Sequence, residues 1–393
     1  MTENLKIPEI RYSEFTKPWE QRKLGETVQI TMGQSPGGEN YTENPKDYIL
    51  VQGNADMKNG KVVPRVWTTQ VTKKADPEDI ILSVRAPVGD VGKTDYPVVL
   101  GRGVAGIKGN AFIFQTLSRM KEIGFWTRYS SGSTFESINS ADLKDAVIQI
   151  PNIEEQIKIG EFFTKLDDTI ALHQRKYDKT ICLKKAMLEK MFPKNGEDKP
   201  QIRLGEFTDS WEQRKLGEIT ESYSGGTPSV GNRSYYGGSI PFIRSGEINS
   251  KNTQLYLTEE GLNSSSAKLV EEGDILYALY GATSGEVGLS QMNGAINQAV
   301  LAIRPKSEYD SKFIMQWLRR QKYSIISTYL QGGQGNLSGS IVKELILSVP
   351  IQYDEQIKIG AFFKQLDDTI ALYQLQLEKL HNIKKAFLEK MFI

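Results

Sequence analysis

The stretch EQIKIGEFFTKLDDTIALHQRKYDKTICLKKAMLEKMF, residues 155–192, decides the fold, because the chain contains it twice. The second copy, EQIKIGAFFKQLDDTIALYQLQLEKLHNIKKAFLEKMF at residues 355–392, is identical to it at 25 of 38 positions. A shorter repeat, WEQRKLGE, occurs at residues 19–26 and again at 211–218. Identity at this level indicates an internal duplication.

Each long repeat is predicted to be a helix, because its apolar residues recur in the heptad pattern of a coiled coil. The two helices are natural partners of each other. At 1.5 Å per residue, each would span roughly 57 Å, which suits a spacer between two globular domains. The alternative is that each helix packs only on its own domain. The predicted seam consists of Phe163, Leu166, Ile170, Tyr177, Phe363, Leu366, Ile370, Tyr373, Leu377 and Leu380.

The segments between the repeats, residues 27–150 and 219–349, match each other only in outline. EDIILSVRAPVG and EGDILYALYGATSG predict a strand and a turn, whereas SKFIMQWLRRQKYSIISTYL predicts an amphipathic helix. Near-identical segments should meet identical partners, and divergent segments of similar plan should meet different ligands. The sequence therefore predicts an α+β protein: two globular mixed α/β domains separated by two long helices in an antiparallel coiled coil, with a pseudo-two-fold internal repeat.

The predicted domain limits follow the repeats. The linker PKNGEDKPQIR is polar, charged and contains proline, so it marks the best boundary. The limits are 1–151 for an N-terminal segment and the first variable domain, 152–192 for the first long helix, 193–210 for the linker, 211–350 for the second variable domain and 351–393 for the second long helix.

The composition of the 393 residues, with 39% hydrophobic and 25% charged residues, is typical of a soluble globular protein. A net charge of +1 argues against a strongly basic nucleic-acid binder. The first residues have no signal-peptide pattern, and no stretch approaches the ~20 apolar residues that span a bilayer. We therefore expect a cytoplasmic protein. The single cysteine, Cys182, is expected to be incidental.

Two phosphate-binding motifs are matched only formally. PVGDVGKT, residues 87–94, has Pro87 where the phosphate-binding loop requires glycine, and Leu289 replaces Lys93 in the second half. GRGVAG, residues 101–106, satisfies G-x-G-x-x-G, but IKGNAF follows it where a helix is required, and its counterpart NQAVLAI lacks the glycines. We interpret GRGVAG as a strand with tight turns and expect no cofactor there.

Catalytic residues are equally scarce. The two histidines, His173 and His381, lie in the long helices, which leaves little for a histidine-based triad or a metal cluster. The repeated pairs Asp167-Asp168 and Asp367-Asp368 are expected to face solvent or a partner. The N/D-P-P-Y/F motif of amino-methyltransferases is absent. We therefore expect a chain that is not an enzyme, with no catalytic residue and no metal site.

This alternation of two unlike domains with two near-identical helices resembles the specificity subunit of Type I restriction-modification enzymes. The resemblance covers nearly the whole chain and is carried by WEQRKLGE, then GGTPS at residues 225–229, SIPFIRSGEI, EGDIL and GGQGN before the closing strand and helix. The first domain departs from this pattern, with GQSPGG in place of GGTPS and GSTFES in place of GQGNLS. Loop equivalence between the domains is therefore approximate.

The resemblance implies that each variable domain is a target-recognition domain that reads one part of a split double-stranded DNA site, while the helices fix the unread spacer. It also implies that the helices dock two methyltransferase subunits, which methylate adenine at N6, and that ATP-dependent restriction subunits join the complex. S-adenosylmethionine, ATP and Mg²⁺ would then belong to those partners, and none of them would bind this chain directly. No membrane is implied.

The candidate DNA-binding residues are polar and basic residues on glycine-rich loops, which can approach a groove closely. Arginine suits guanine, and glutamine or asparagine suits adenine. In the first domain the candidates are Gln34, Ser35, Gln52, Asn54, Arg85, Lys93, Arg102, Ser133 and Thr134. In the second domain they are Thr227, Arg233, Arg244, Ser245, Tyr280, Thr283, Ser284, Gln334 and Asn336.

Two other functions remain open from the sequence. The repeat alone permits a non-catalytic assembly scaffold whose variable domains bind protein or glycan ligands. A standalone nuclease or methyltransferase would require catalytic residues that the sequence does not provide. Sequence-specific DNA binding distinguishes the specificity subunit from the scaffold, and turnover by the isolated chain would indicate the enzyme.

Overall fold

The computed structural model describes residues 7–129, 137–194, 196–330 and 336–393, without the side chains of residues 128 and 129. The chain forms two compact units. Unit 1 comprises Met1–Lys176 together with Tyr373–Ile393, and unit 2 comprises Tyr177–Leu372. Within the described ranges, no helix is both long enough and apolar enough to cross a membrane.

Unit 1 is built from short strands and a few helices. Its strands are β1 (Glu20–Lys23), β2 (Gln29–Met32), β3 (Tyr41–Thr42), β4 (Tyr48–Val51), β5 (Met57–Lys58), β6 (Lys61–Val62), β7 (Val66–Thr68), β8 (Lys74–Ala75), β9 (Ile80–Ser83), β10 (Val91–Lys93), β11 (Val98–Leu100), β12 (Val104–Lys108) and β13 (Val147–Ile150). Its helices are α1 (Leu24–Thr27), α2 (Ala111–Glu122), α3 (Ser140–Asp145) and the first part of α4 (Ile153–Lys190). The strand orders are β1-β13, β2-β12-β9-β10-β6-β5 and β3-β7-β4-β11-β8.

The core of unit 1 lies between α2 and the sheet that contains β9 and β12. The strands there are rich in β-branched residues, as in IILS of β9, and all four of these residues are buried. Helix α2 begins at the Asn110 cap, whose side chain accepts a hydrogen bond from the Ile113 amide. Its apolar face, including Phe112 and Leu117, packs into the same core as Ile80.

Unit 2 repeats this plan with different strand lengths. Its strands are β14 (Glu212–Lys215), β15 (Thr220–Ser224), β16 (Tyr236–Ile243), β17 (Tyr256–Leu257), β18 (Lys268–Val270), β19 (Ile275–Ala278), β20 (Val287–Leu289), β21 (Gly294–Ile296), β22 (Val300–Pro305) and β23 (Ile346–Val349). Its helices are the rest of α4, α5 (Leu216–Ile219), α6 (Glu259–Asn263), α7 (Ser311–Tyr329), α8 (Gly339–Lys343) and the first part of α9 (Tyr353–Met391). The strand orders are β14-β23, β15-β22-β19-β20 and β17-β16-β21-β18. The predicted amphipathic helix is confirmed as α7.

The short sequence repeat forms the same structure in both units. EQRK becomes β1 and pairs antiparallel with β13, and its second copy becomes β14 and pairs antiparallel with β23. Upstream of each copy, an arginine forms a bidentate ion pair with the long helix. Arg11 contacts Glu155 through two bonds of 2.7 Å, and Arg203 contacts Glu355 through bonds of 2.8 and 2.5 Å. The repeat therefore extends further upstream than WEQRKLGE.

The two long helices pair antiparallel within each unit. In unit 1, the rings of Phe162 and Phe387 lie 4.9 Å apart, and those of His173 and Tyr373 lie 6.1 Å apart. In unit 2, Lys184 of α4 forms an ion pair with Asp367 of α9. The predicted antiparallel coiled coil is therefore confirmed, and the alternative in which each helix packs only on its own domain is wrong.

The predicted seam residues lie on the covered face of the helices. Phe163 of α4 and Phe363 and Leu377 of α9 are buried. Residues on the opposite face of each helix, such as Asp168 and Asp368, are exposed. The other predicted seam residues are half-buried, namely Leu166, Ile170, Tyr177, Leu366, Ile370, Tyr373 and Leu380.

The end of each helix completes a core. Phe392, after α9, stacks on Phe112 in unit 1 at 5.1 Å between ring centroids. Phe192, after α4, stacks on Phe313 in unit 2 at 5.4 Å. Each of these phenylalanines also lies about edge-on to the tryptophan of the WEQRKLGE motif in its unit. The identical endings KMF therefore occupy equivalent places in the two cores.

One expectation about the helices is wrong. Asp167 accepts a hydrogen bond from Gln115 at 2.8 Å and forms an ion pair with Lys384 at 2.7 Å, all within unit 1. Asp367 likewise accepts from Gln316 of α7 at 3.0 Å. The first aspartate of each pair is half-buried because α2 or α7 of the same unit packs beside the seam. The second aspartates, Asp168 and Asp368, are exposed, as expected.

Candidate nucleic-acid interface

In unit 1, several glycine-rich loops meet at one end of the strands. They follow β2, β4, β9 and β11, and we call this set loop edge 1, made of residues 33–36, 52, 85 and 101–103. Backbone bonds hold the loops together: the Gln34 amide donates to Leu100 O at 2.8 Å, and the Val84 amide donates to Gly103 O at 2.8 Å. The Arg102 amide donates to Ser35 Oγ at 3.1 Å.

The charges of loop edge 1 are available to a ligand. Arg85 and Arg102 are both exposed, and neither guanidinium has an ion-pair or hydrogen-bond partner among residues 7–129 and 137–194. Gln52 is half-buried, and its Nε2 donates to the Tyr41 hydroxyl at 3.1 Å. Two unpaired cations beside an amide can bind an anion or the polar edge of a base.

Unit 2 has an equivalent loop edge 2, made of residues 225–228, 244, 280 and 297–299. The Leu279 amide donates to Ala299 O at 2.8 Å, as Val84 does to Gly103 in unit 1. Thr227 Oγ1 donates to Gln298 Oε1 at 2.6 Å. Thus the Thr227-Pro228 turn contacts the turn after β21 in unit 2, just as the Ser35-Pro36 turn contacts the turn after β11 in unit 1.

The side chains of loop edge 2 differ from those of loop edge 1. Parallel strand pairing places Ile243 beside Ile296, as Val51 lies beside Leu100, so that Arg244 corresponds to Gln52. Arg244 is partly engaged, because it contacts both oxygens of Glu247 at 3.1 Å, and this hydrogen-bonded carboxylate raises the pKa of the Arg244 guanidinium.

Tyr280 occupies the position in unit 2 that Arg85 occupies in unit 1. An isolated antiparallel bridge joins Tyr280 to Asn336, as another joins Arg85 to Ser137. Asn336 is exposed and Tyr280 is half-buried. An arginine in one edge is therefore replaced by a neutral aromatic hydrogen-bonding residue in the other.

Other candidates lie away from these contacts or face inward. Lys93 pairs with Ile80, at the opposite end of β9 from Ser83, and its ammonium lies 3.6 Å from Glu78. Ser284 is 7% exposed, and its hydroxyl donates to Gly281 O at 2.9 Å within its own turn. Thr283 is half-buried beside it.

The remaining candidates occupy loops that adjoin the edges. Asn54 begins a 3-10 turn after Gln52, and Ser245 begins the corresponding turn after Arg244. Arg233 is exposed in the 3-10 turn before β16. Ser133, Thr134 and Gln334 lie outside the described residues.

Sequence reasoning missed Gln298. It is exposed, it occupies the position of Arg102, and it contacts the predicted candidate Thr227. The signal was present, because NQAVLAI aligns with GRGVAG and places this glutamine opposite the arginine. The motif GRGVAG was interpreted through its glycines, and the position between them, Arg102, was not compared with its counterpart in unit 2.

The described part of the chain contains no cluster of three or more histidine, cysteine, aspartate or glutamate residues that could hold a metal ion. Its single cysteine, Cys182, is free and exposed. Both edges consist of polar loops on a duplicated scaffold.

Comparison with known proteins identifies the class. A family model, the Type I restriction modification DNA specificity domain, matches residues 16–180 and again residues 208–382. The chain therefore belongs to the family of Type I restriction-modification DNA specificity proteins.

Individual relatives agree with this family. The chain is 34% identical over 184 residues to a putative type I restriction enzyme MjaX specificity subunit of Methanocaldococcus jannaschii, covering 44% of this chain and 43% of that protein. It is 26% identical over 198 residues to the MjaIX specificity subunit of the same organism, covering 48% of this chain and 45% of that protein. The chain thus spans less than half of the length of these curated relatives.

Solved structures support the fold. The crystal structure of a Type I restriction-modification S subunit from M. genitalium matches with a TM-score of 0.72 at 17% identity, over 98% of this chain and 99% of that one. A chain from a study of complex assembly and conformational transition of the type I R-M system matches with a TM-score of 0.50 at 18% identity, over 95% of this chain and 97% of that one. The two-domain α+β architecture with paired long helices is therefore that of specificity subunits.

Proposed function

We propose that this chain is the DNA-reading subunit of a Type I restriction-modification complex, and that each unit reads one part of a bipartite double-stranded site. The observation that carries the proposal is the pair of loop edges. Both share the backbone bond from Val84 or Leu279 to the third residue of the turn, but Gln52, Arg85 and Arg102 in one are replaced by different residues in the other. Two scaffolds of one design with different polar side chains are suited to two different base sequences.

The near-neutral net charge of +1 fits this division of labour. Phosphate contacts position a protein on DNA, whereas contacts to base edges specify the sequence. In this proposal, partner subunits supply much of the phosphate binding, and the exposed arginines of loop edge 1 supply base contacts. The isolated chain should then bind DNA weakly, and the assembled complex should bind it with sequence preference.

The paired helices α4 and α9 would set the unread spacer between the two parts of the site, and the shared segments would dock two methyltransferase subunits. Duplicated apolar residues support this docking. Ile153 and Ile157 on the first turns of α4 are 59% and 50% exposed, and Tyr353 and Ile357 on α9 are 42% and 41% exposed. Exposed apolar groups that recur at equivalent places are suited to binding two copies of one protein.

The chemistry would then belong to the partners. Methyltransferase subunits would bind S-adenosylmethionine and methylate adenine at N6 after flipping the base out of the duplex. ATP-dependent restriction subunits would use ATP and Mg²⁺ to translocate and cut DNA. This chain would bind none of these ligands itself and would act as a non-catalytic subunit.

The proposal is tested by co-expressing the chain with its methyltransferase partner and mapping methylated adenines by single-molecule sequencing. We expect a split motif with a fixed gap. Exchanging residues 27–150 for those of another specificity subunit should change one half of the motif and leave the other half and the gap unchanged. A well-formed complex that methylates no defined motif would instead support a scaffold that binds protein or glycan ligands.

Docking is tested separately by replacing Ile157 and Ile357 with aspartate. The matched control is Tyr323→Asp on α7, which places the same charge at an 85% exposed apolar residue outside the shared segments. The double variant should lose co-purification with the methyltransferase subunit, while the control keeps it. Equal co-purification of the two variants would show that these residues are not the docking surface.

A further inference from the structure

The turn that follows the central parallel strand has the same geometry in both units. In unit 1 it follows β11 and contains Gly101, Arg102 and Gly103, whereas in unit 2 it follows β21 and contains Asn297, Gln298 and Ala299. The third residue of each turn accepts a backbone hydrogen bond of 2.8 Å. The donor is the amide of Val84, directly after β9, in unit 1 and that of Leu279, directly after β19, in unit 2. Arg102 and Gln298 are therefore at equivalent positions.

A second set of contacts fixes these turns from the opposite side. A Cβ atom at Gly33 would lie 2.1 Å from Gly101 O, and one at Gly225 would lie 1.8 Å from Ile296 O. Only glycine allows so close an approach of the two loops. Two residues later, the Ser35 hydroxyl accepts a hydrogen bond from the Arg102 backbone amide, whereas the Thr227 hydroxyl donates one to the side-chain oxygen of Gln298. The backbone is held in both units, and the exposed side chain in the middle of the turn is what differs.

The chemistry of the two side chains differs in the way that base recognition requires. The Arg102 guanidinium is without a partner in the part of the chain that the structure describes, and a guanidinium donates two parallel hydrogen bonds to guanine O6 and N7. Thr227 orients Gln298 through its Oε1 and leaves the Nε2 group free to donate. A primary amide that donates and accepts matches N7 and N6 of adenine.

We propose that the middle residue of this turn is a specificity-determining position in both units, with Arg102 reading a guanine in one half-site and Gln298 reading an adenine in the other. This assignment rests on the proposed function and adds residue-level specificity to it. Gln298 is a reader because Thr227 holds its amide in place, so that less side-chain entropy is lost on binding.

The experiment is a reciprocal exchange, Arg102→Gln and Gln298→Arg, in the full chain assembled with its methyltransferase partner. Binding is measured by competition between duplexes that carry each of the four bases at each position of the wild-type motif. Gln298→Arg should change the preference at one position of one half-site from adenine to guanine, by about tenfold or more. Arg102→Gln should make the opposite change in the other half-site.

A second variant, Gln298→Glu, keeps the size of the side chain but makes it an acceptor only, which favours the amino group of cytosine. The matched controls are Gln291→Arg, an exposed position before β21, and Lys46→Gln, an exposed position before β4. Both controls change charge at the far end of a strand and should leave base preference unchanged.

Three results would overturn the assignment. Variants that keep the wild-type preference at every position would show that the turn does not read bases. A loss of affinity that is uniform across all sequences would make the residue a phosphate contact. A wild-type complex without any sequence preference would instead refute the proposed function, and the assignment with it.

Discussion

The buried ion pair between Arg203 and Glu355 gives the sharpest test of how the repeated segments stabilise the fold. The two side chains are 12% and 1% exposed, and two short hydrogen bonds join them. We expect Arg203→Met to keep the aliphatic packing but leave a buried carboxylate without its cation, which costs about 3–5 kcal/mol. Adding Glu355→Gln should restore most of this loss, because a neutral amide has a smaller desolvation penalty.

The same substitution in unit 1 supplies a matched comparison. Glu155 also accepts a hydrogen bond from Trp19 Nε1 at 3.3 Å, whereas Trp211 Nε1 has no acceptor in the described part of unit 2. We therefore expect Arg11→Met to cost about 1 kcal/mol less than Arg203→Met, because one donor to the carboxylate remains.

Hydrogen exchange measured by mass spectrometry locates the effect. In Arg203→Met, the slowest amides of unit 2 should exchange faster by about 10²- to 4 × 10³-fold, since each 1.4 kcal/mol is a factor of ten. The amides of β1 and β13 in unit 1 serve as the internal control. The reasoning would be refuted by a variant as stable as the wild type, or by a double variant no more stable than Arg203→Met.

Three further predictions concern packing, the loop edges and pH. Phe392→Ala and Phe192→Ala should each lower the stability of their own core by about 3–5 kcal/mol, measured by urea unfolding, because each ring fills an aromatic cluster. Gly225→Ala should lower DNA affinity because its Cβ would clash with Ile296 O, whereas Gly246→Ala, with no atom within 4 Å of its Cβ, should not; equal affinities in a binding titration would contradict this. Burial raises the pKa of the Asp310 carboxyl above its ordinary value of 3.8. The folded state therefore favours the protonated carboxyl, and this contribution to stability is present below pH 3.8 and is lost as pH rises through the raised pKa. Asp310→Asn, which keeps the helix cap, should remove this loss when thermal unfolding is compared between pH 3 and 7 (about the range of carboxylate titration).

The architecture could be predicted from the sequence because the duplication presents the same hydrophobic pattern twice. The heptads of the long repeats predict two paired helices, and contacts such as that of His173 with the predicted seam residue Tyr373 confirm the pairing. The partial burial of Asp167 was not predictable in this way. It depends on Gln115, which comes from a helix of the variable domain and approaches the seam from the side. Local periodicity carries no information about such a neighbour.

The loop edges were predicted only in part, for a similar reason. Composition predicted that glycine-rich loops would bind DNA, and two of these loops do meet where the Arg102 amide donates to Ser35 Oγ. Lys93 comes from a glycine-containing stretch of the same kind, but it lies in β10, and its pairing with Ile80 places it at the opposite end of β9. Which loops share an end of a sheet depends on strand order and register, and these are set by long-range pairing rather than by local residues.

The glycine contacts beneath the two edges also bear on how such a protein can change over generations. Gly33 and Gly225 allow a close backbone approach to each turn, and this approach does not involve the side chains at positions 102 and 298. A substitution at either position can be inherited with little loss of stability, and it leaves the other unit untouched. Under the proposed assignment, a single mutation in such a duplicated chain would change one half-specificity and leave the shared helices, with the partners proposed for them, unaltered.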